Sequence, residues 1–151
     1  MKINIEINNP AGAKIDEKSV KKTAVAVIEN EARRFGGIGK MEVSLAFVKP
    51  EKIRALNKKF RGRDCVTDIL SFTGDGLTDN GGWSLGELII CAKQVKDDAK
   101  ELKTSFESEL VWVIIHGILH LFGYDHEKSE IEAETMRGKE EFYLGSVKLK
   151  A

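Results

Sequence analysis

The chain has 151 residues, of which 42% are hydrophobic and 32% are charged. This composition is typical of one globular domain, spanning residues 1–151, and excludes a disordered or membrane-embedded chain. The 24 basic and 24 acidic side chains give a formal net charge of zero. The protein as a whole therefore has no electrostatic attraction to nucleic acid, and no DNA partner is expected.

The chain lacks the usual signs of export or membrane insertion. Its N-terminal segment has no signal-peptide hydrophobic block, and the longest apolar run, residues 110–115, is too short to cross a bilayer. Cys65 and Cys91 do not form a CxxC pair, and Cys91 ends an apolar run as a small core residue would. These features predict a cytoplasmic protein with two reduced thiols and no membrane partner.

The first half of the chain predicts a strand, a helix, a second strand and a short helix. Residues 2–8 and 41–48 alternate apolar and polar side chains, as strands do. The helix between them is capped by Asp16 and runs to about Arg34, and Gly36-Gly37 ends it. Pro50 suits the first turn of a helix that reaches Phe60. The first helix has a buried stripe made of Val20, Ala24, Val27 and Ile28.

The second half predicts two more strands and three more helices. The strands are residues 67–72 and 84–91, and a loop rich in Gly, Asp and Asn joins them over residues 73–82. Helices follow at about 92–102 and 128–144, on either side of a longer helix.

The longer helix covers residues 106–122. Thr104 followed by Glu107 is a capping-box signature for its N-terminus. Apolar side chains surround almost its whole circumference, so it is expected in the centre of the fold, against the sheet.

All three histidines lie in one stretch of eleven residues, from His116 to His126. On a helix, His116 and His120 project from one face, about 6 Å apart along the axis. Gly123 can adopt the left-handed conformation that ends the helix, and a short turn then brings His126 back. Three neutral imidazoles around one ion leave a fourth position open, which is the arrangement of a catalytic zinc site.

Two alternatives stay open for this stretch. A lone histidine on an apolar helix is more often a satisfied core residue than a ligand, although three at this spacing are hard to explain so. Zinc proteases have Glu directly after their first His as the general base, but Gly117 stands there.

A glycine inside a helix suggests close approach by a substrate backbone or by a packed neighbour. Three imidazoles also suit nickel, copper and cobalt.

Charge is unevenly distributed along the chain. Residues 49–63 contain seven basic side chains and one acidic one, whereas residues 125–141 contain seven acidic and three basic. The basic segment is either a solvated helix face or a phosphate-binding patch.

Asp125 and Glu109 are the sequence candidates for carboxylates that support the metal ligands, and Asp125 is equally a turn residue or a cap. Cys65 lies in a polar loop and is not expected to bind the metal.

Three segments together resemble the YbeY family, also called rRNA maturation factor or endoribonuclease YbeY. Residues 116–126, HGILHLFGYDH, match the family signature at every defining position. Residues 56–72, which contain LNKKFRGRD and TDILSF, resemble its region LNxxYR…TDVLSF, and residues 85–88, LGEL, resemble its LGDI strand. The histidine signature is highly specific, and the other segments reinforce it.

The resemblance implies a single α+β domain with a four-stranded mixed sheet and about five helices. It implies zinc bound by His116, His120 and His126, with His116 and Arg61 as the catalytic residues. Arg61 would hold a phosphate near the metal, for which a planar guanidinium is well suited. The implied substrate is single-stranded RNA, in particular a ribosomal RNA precursor. The departures from the family pattern are Val66 and Thr73 in place of prolines and Phe60 in place of a common Tyr.

Three functions are compatible with these residues. The first is a zinc-dependent endoribonuclease that acts in ribosomal RNA maturation and ribosome quality control. The second is a ribosome-associated assembly factor that binds RNA or a ribosomal protein through residues 49–63 and uses its metal mainly to order the fold. The third is a metallohydrolase for another substrate such as a peptide, which Gly117 argues against. The RNA site, the nucleophile and the oligomeric state are not encoded in any readable pattern.

Overall fold

The computed structural model describes residues 1–34, 36 and 39–150, with side chains up to residue 147. Its strands are β1 (Lys2–Asn8), β2 (Lys40–Phe47), β3 (Ile69–Leu77) and β4 (Trp83–Ile90). Its helices are α1 (Glu17–Arg33), α2 (Pro50–Arg61), α3 (Ala92–Glu101), α4 (Phe106–Leu121) and α5 (Glu130–Lys150). No helix in this part of the chain is long and apolar enough to cross a membrane.

The four strands form one mixed sheet in the order β1-β2-β4-β3. β1 pairs with β2 and β2 with β4 in parallel, whereas β3 pairs with β4 in the antiparallel sense at the edge. Helix α1 links the parallel pair β1 and β2, as parallel strands require a crossover. The α+β class, the four-stranded mixed sheet and the five helices predicted from the sequence are therefore confirmed.

Helix α4 lies at the centre of the fold. It contacts α1, α3 and α5 as well as β3 and β4, and its side chains are buried on most sides, as the sequence predicts for a helix that is apolar all round. Alternate residues of β4 point to opposite faces: Leu88 and Ile90 join the α4 core, and Ile89 joins a second cluster with Ile53 of α2. The sheet therefore separates α4 from α2.

The predicted loop over residues 73–82 is wrong for its first half, because β3 continues through Leu77. The register with β4 shifts between Thr73 and Gly76. At Gly74 the two backbones approach so closely that a Cβ would lie 2.4 Å from the carbonyl oxygen of Ser84. Glycines that looked like loop residues thus permit a close strand contact.

Several predicted helix ends move by a few residues. Helix α4 is capped by Ser105, whose Oγ accepts from the Ser108 N–H at 3.1 Å, and not by Thr104. Helix α5 runs over Glu130–Lys150 instead of residues 128–144. Asp16 caps α1 as predicted. Of the predicted stop Gly36-Gly37, Gly36 has a φ of +82°, and Gly37 lies outside the described residues.

Gly117 is required by the contact between α4 and the sheet. A Cβ at this position would lie 2.6 Å from Ile69 Cδ1 and 3.0 Å from Leu88 Cδ2. Of the two explanations for a glycine here, a packed neighbouring element is the one observed. The cost of glycine in the helix, about 1 kcal/mol relative to alanine, is offset by a closer approach of α4 to the sheet.

Gly117→Ala should lower the free energy of unfolding by about 1–3 kcal/mol, because the added methyl overpacks this contact. The matched control is Gly138→Ala in α5, where a Cβ meets nothing within 4 Å. That substitution should raise stability by up to about 1 kcal/mol through helix propensity alone. Urea unfolding of both variants provides the measurement, and a stabilising effect at both positions would contradict the packing argument.

Candidate metal centre and active site

The last turn of α4 and the turn after it bring the three histidines together. His116 Nε2 and His120 Nε2 lie 3.1 Å apart, and one ring nitrogen from each of His116, His120 and His126 lies within 4.8 Å of the others. Gly123 has a φ of +97°, so the chain reverses there as the sequence predicts. The Tyr124 N–H donates to the Leu119 carbonyl at 3.1 Å and secures the reversal.

This arrangement could hold a metal ion. At Zn–N distances of 2.0–2.1 Å, two ligands of a tetrahedral site lie about 3.3 Å apart, close to the separation of the first two Nε2 atoms. Burial, followed by the charges of His116 and His126, lowers the pKa of His120. A lowered pKa favours the neutral ring, which is the form that binds metals. Since His126 is exposed and the other two rings are half-buried, the group opens on one side.

Two residues that the sequence did not single out lie beside the ring of His116. Trp112 stacks on it with centroids 4.9 Å apart and ring planes 23° apart. Glu140 Oε2 on α5 lies 3.5 Å from Nδ1, the nitrogen that does not face His120. His116 Nδ1 is buried and forms no hydrogen bond with a described residue. The carboxylate of the buried residue Glu140 faces this nitrogen at ion-pair distance without completing a hydrogen bond.

A second buried carboxylate fastens the histidine turn to two other helices. Glu31 of α1 is fully buried and accepts hydrogen bonds from Tyr124 Oη (2.7 Å), Lys139 Nζ (3.3 Å) and Tyr143 Oη. Tyr124 lies between two of the histidines, and Lys139 immediately precedes Glu140. Glu31 therefore links α1, the histidine turn and α5 through one side chain.

The protonation states in this network follow from its hydrogen bonds. Burial alone would raise the pKa of Glu31, but the bonds from Tyr143, Tyr124 and Lys139 together lower it. Burial and the Glu31 charge raise the pKa of Tyr124 to about 12 and that of Tyr143 still further. At neutral pH the network thus consists of one carboxylate that accepts from two phenols and from Lys139.

The histidines open into a cavity of about 680 Å³ that also contains Arg61 and Asp68. Arg61 Nη2 donates to the Ser71 carbonyl at 2.6 Å, and its guanidinium carbon lies 5.0 Å from the centre of the Phe72 ring. The basic segment and the histidine group, distant in sequence, therefore face one space. Hydrogen bonding to β3 and stacking on Phe72 hold the guanidinium at the wall of that space.

Asp68 was missed by the sequence analysis. Its Oδ1 accepts from the Ile69 N–H at 2.8 Å, and burial is the largest cause of a raised pKa for this carboxyl. A carboxyl whose pKa is raised toward neutral pH is better suited to transfer a proton as a general acid or base. The available signal was the threonine-aspartate pair just before a strand, which is also an ordinary turn pattern.

Three other residues were considered from the sequence: Asp125, Glu109 and Cys65. Asp125 lines the cavity, and its Oδ1 accepts from the Glu127 N–H at 2.9 Å, so it is at least the turn residue considered above. Glu109 is buried, and its pKa is raised by burial and by the charges of Asp98 and Asp68. It is not among the residues that line the described cavity. Cys65 lines the cavity and lies outside the potential metal group of three histidines.

These features define the class: a small α+β protein with three imidazoles at the end of a buried helix. A protein-family model described as Endoribonuclease YbeY matches residues 4–148, so the chain belongs to the family of YbeY endoribonucleases. The protein of that name from Thermodesulfovibrio yellowstonii is 37% identical over 98% of this chain and 99% of its own. The one from Alkaliphilus metalliredigens is 36% identical over 95% of each chain.

A solved structure agrees with this assignment. The solution structure of TM1509 from Thermotoga maritima aligns with a TM-score of 0.62 and 32% identity, covering 96% of this chain and 88% of that one. The family resemblance read from the three sequence segments is therefore confirmed. Because the family is one of endoribonucleases, RNA is the class of substrate that it implies.

Glu31→Gln should lower the free energy of unfolding by about 3 kcal/mol, since hydrogen bonds to a buried charge are worth about 1.5–3 kcal/mol each. The effect should depend on pH. Because the folded-state pKa of Glu31 lies below its ordinary value of 4.5, its stabilisation is complete above that value and is lost as pH falls through the folded pKa.

Urea unfolding of the wild type and Glu31→Gln provides the measurement. The difference in unfolding free energy should be constant between about pH 6 and 8 and should shrink below about pH 4. A difference that grows on acidification would show that Glu31 is not an ionised anchor.

Proposed function

We propose that this protein is a metal-dependent endoribonuclease that cleaves single-stranded RNA, with zinc held by His116, His120 and His126. The observation that carries the proposal is that three converging imidazoles and Arg61 line the same cavity. Cleavage of a phosphodiester is accelerated by a Lewis acid and by a cation beside the scissile phosphate, because both stabilise the charge that develops there. The family assignment supports RNA as the polymer.

The donor set fits zinc and also suits nickel or another divalent ion. When bound, such an ion supplies Lewis acidity toward a phosphate oxygen and a water that can attack at neutral pH. Arg61 binds a phosphate oxygen and stabilises the charge that develops on it, because its planar fork presents several N–H donors. His116, which stacks on Trp112, would be one of the residues that hold the ion in the cavity that Arg61 also lines.

The biological role that we propose is ribosomal RNA maturation and ribosome quality control in the cytoplasm. The position of the histidines in the lining of a cavity supports a single strand as the substrate, since a flexible strand can bend into a cavity more readily than a rigid duplex. The unpaired cations of the basic segment would attract the strand locally, although the net charge is zero. Contacts to ribosomal proteins are part of the same proposal.

Cleavage of a labelled single-stranded RNA tests the proposal. Arg61→Ala should lower kcat/KM by about 10²–10³-fold, and His120→Ala should abolish zinc-dependent turnover. The matched control is Arg54→Ala, because Arg54 is on the same helix but pairs with Asp64 at 2.8 Å and does not line the cavity. It should stay within a few-fold of wild type. Equal activity in all four proteins would indicate a contaminating nuclease and reject the proposal.

Metal removal separates this function from that of an assembly factor with a structural metal. The histidine turn is fastened to α1 by the hydrogen bond from Tyr124 to Glu31, which involves none of the histidines. We therefore expect chelated protein to keep its near-UV circular dichroism and lose cleavage, and added zinc to restore it. Unfolding on chelation, with RNA cleavage absent from the zinc-loaded protein, would favour the assembly factor.

Glu140→Ala should weaken zinc binding by about 10–100-fold, since a carboxylate behind a ligating imidazole fixes its ring and raises its basicity. Competition with a chromophoric chelator measures the affinity directly, without an activity assay. The matched control is Glu141→Ala, which removes the same charge from the neighbouring exposed position. Equal weakening by both substitutions would mean that only the overall negative charge of α5 matters.

A further inference from the structure

Phe60 is an exposed aromatic side chain in the most basic part of the chain. Its exposed fraction is 52%, and Phe142 of α5 is similarly exposed at 60%. The two rings differ in their surroundings. Phe142 contacts Tyr143, whereas Phe60 has the ammonium of Lys59 at 5.2 Å from its ring centre and Arg61 as its other neighbour in the chain.

The Phe60 ring is connected to the wall of the cavity through Phe72. Phe60 meets Phe72 edge to face, with centroids 5.4 Å apart and ring planes 72° apart. The guanidinium of Arg61 lies over the same Phe72 ring at 5.0 Å and also lines the histidine cavity. A polymer that places a phosphate at Arg61 therefore passes close to the exposed ring of Phe60.

The charge around Phe60 suits a polyanion. Arg54 and Lys58 in the same segment are near Asp64, but Lys59, Arg61 and Arg63 form no ion pair with any described residue. An aromatic face between unpaired cations is the combination that proteins use to bind single-stranded nucleic acid, because bases stack on the ring while cations neutralise phosphates. A hydrophobic protein partner would not require the flanking cations.

We infer that Phe60 is a stacking site for a nucleobase of the strand whose phosphate is bound at Arg61. Phe72 contacts the ring edge to face, and Lys59 with Arg61 neutralises the flanking phosphates. The inference rests on the proposed function and adds a subsite to it. Such a site would favour single strands, because only an unpaired base exposes its face to the ring.

Fluorescence anisotropy of the zinc-loaded protein tests the stacking site with two strands of equal length and charge. Both are labelled 2′-O-methyl phosphorothioate oligomers that resist cleavage, and one of them lacks its bases. Phe60→Ala should weaken binding of the base-carrying strand by about tenfold. It should change binding of the abasic strand by less than twofold. Phe60→Tyr keeps the ring and should bind within threefold of wild type.

Phe142→Ala is the matched control, since it removes an equally exposed ring outside the basic segment, and it should bind both strands as wild type does. Equal weakening of both strands by Phe60→Ala would show a structural role beside Phe72 and overturn the inference. Unchanged binding of both strands would also overturn it and would leave Phe60 as a protein-docking residue.

The test separates the failure of this subsite from the failure of the proposed function. If the wild type cleaves single-stranded RNA but Phe60→Ala changes the binding of the two strands equally, the stacking site alone is rejected. If Phe60→Ala weakens only the base-carrying strand tenfold but no zinc-dependent cleavage occurs, the nuclease is rejected and the stacking site is kept. If the wild type binds neither strand, both are rejected.

Discussion

The close packing of α4 against the sheet is the constraint on which the site depends. Because Gly117 has no side chain, α4 packs so close to Ile69 and Leu88 that a single added methyl would overlap with them. His116 and His120 flank this glycine on the same helix, so the contact that buries α4 also sets where their rings point. Because α4 is surrounded by α1, α3, α5 and two strands, its last turn cannot move without disturbing most of the core.

Two buried carboxylates, those of Glu31 and Glu140, lie beside the histidine group and come from other helices. Glu31 joins α1 to the histidine turn through Tyr124 and to α5 through Lys139. Since Glu140 follows Lys139 on α5, the same anchor places a carboxylate behind His116. Burying a charge is costly unless it is well paired, and the hydrogen bonds that pair Glu31 also fix the histidine turn against α1 and α5. Stability and the position of the histidine turn thus depend on the same polar contacts.

The local features of the site could be predicted from the sequence, and its tertiary features could not. Helical spacing placed His116 beside His120, and Gly123 marked the reversal that returns His126, because both are properties of one continuous segment. Glu140 and Glu31 were missed because they reach His116 and Tyr124 from other helices, and no sequence interval encodes that proximity. The extension of β3 was missed for a related reason: glycine marks both loops and close strand contacts.

The central claim is that three imidazole nitrogens share one cation whose remaining position faces the cavity. Zinc K-edge absorption spectroscopy of the loaded protein tests it most directly. The account predicts four nitrogen or oxygen ligands at about 2.0–2.1 Å, with outer-shell scattering from three imidazoles in the wild type and from two in His126→Ala. A sulfur ligand at about 2.3 Å, or the same imidazole scattering in that variant, would contradict it.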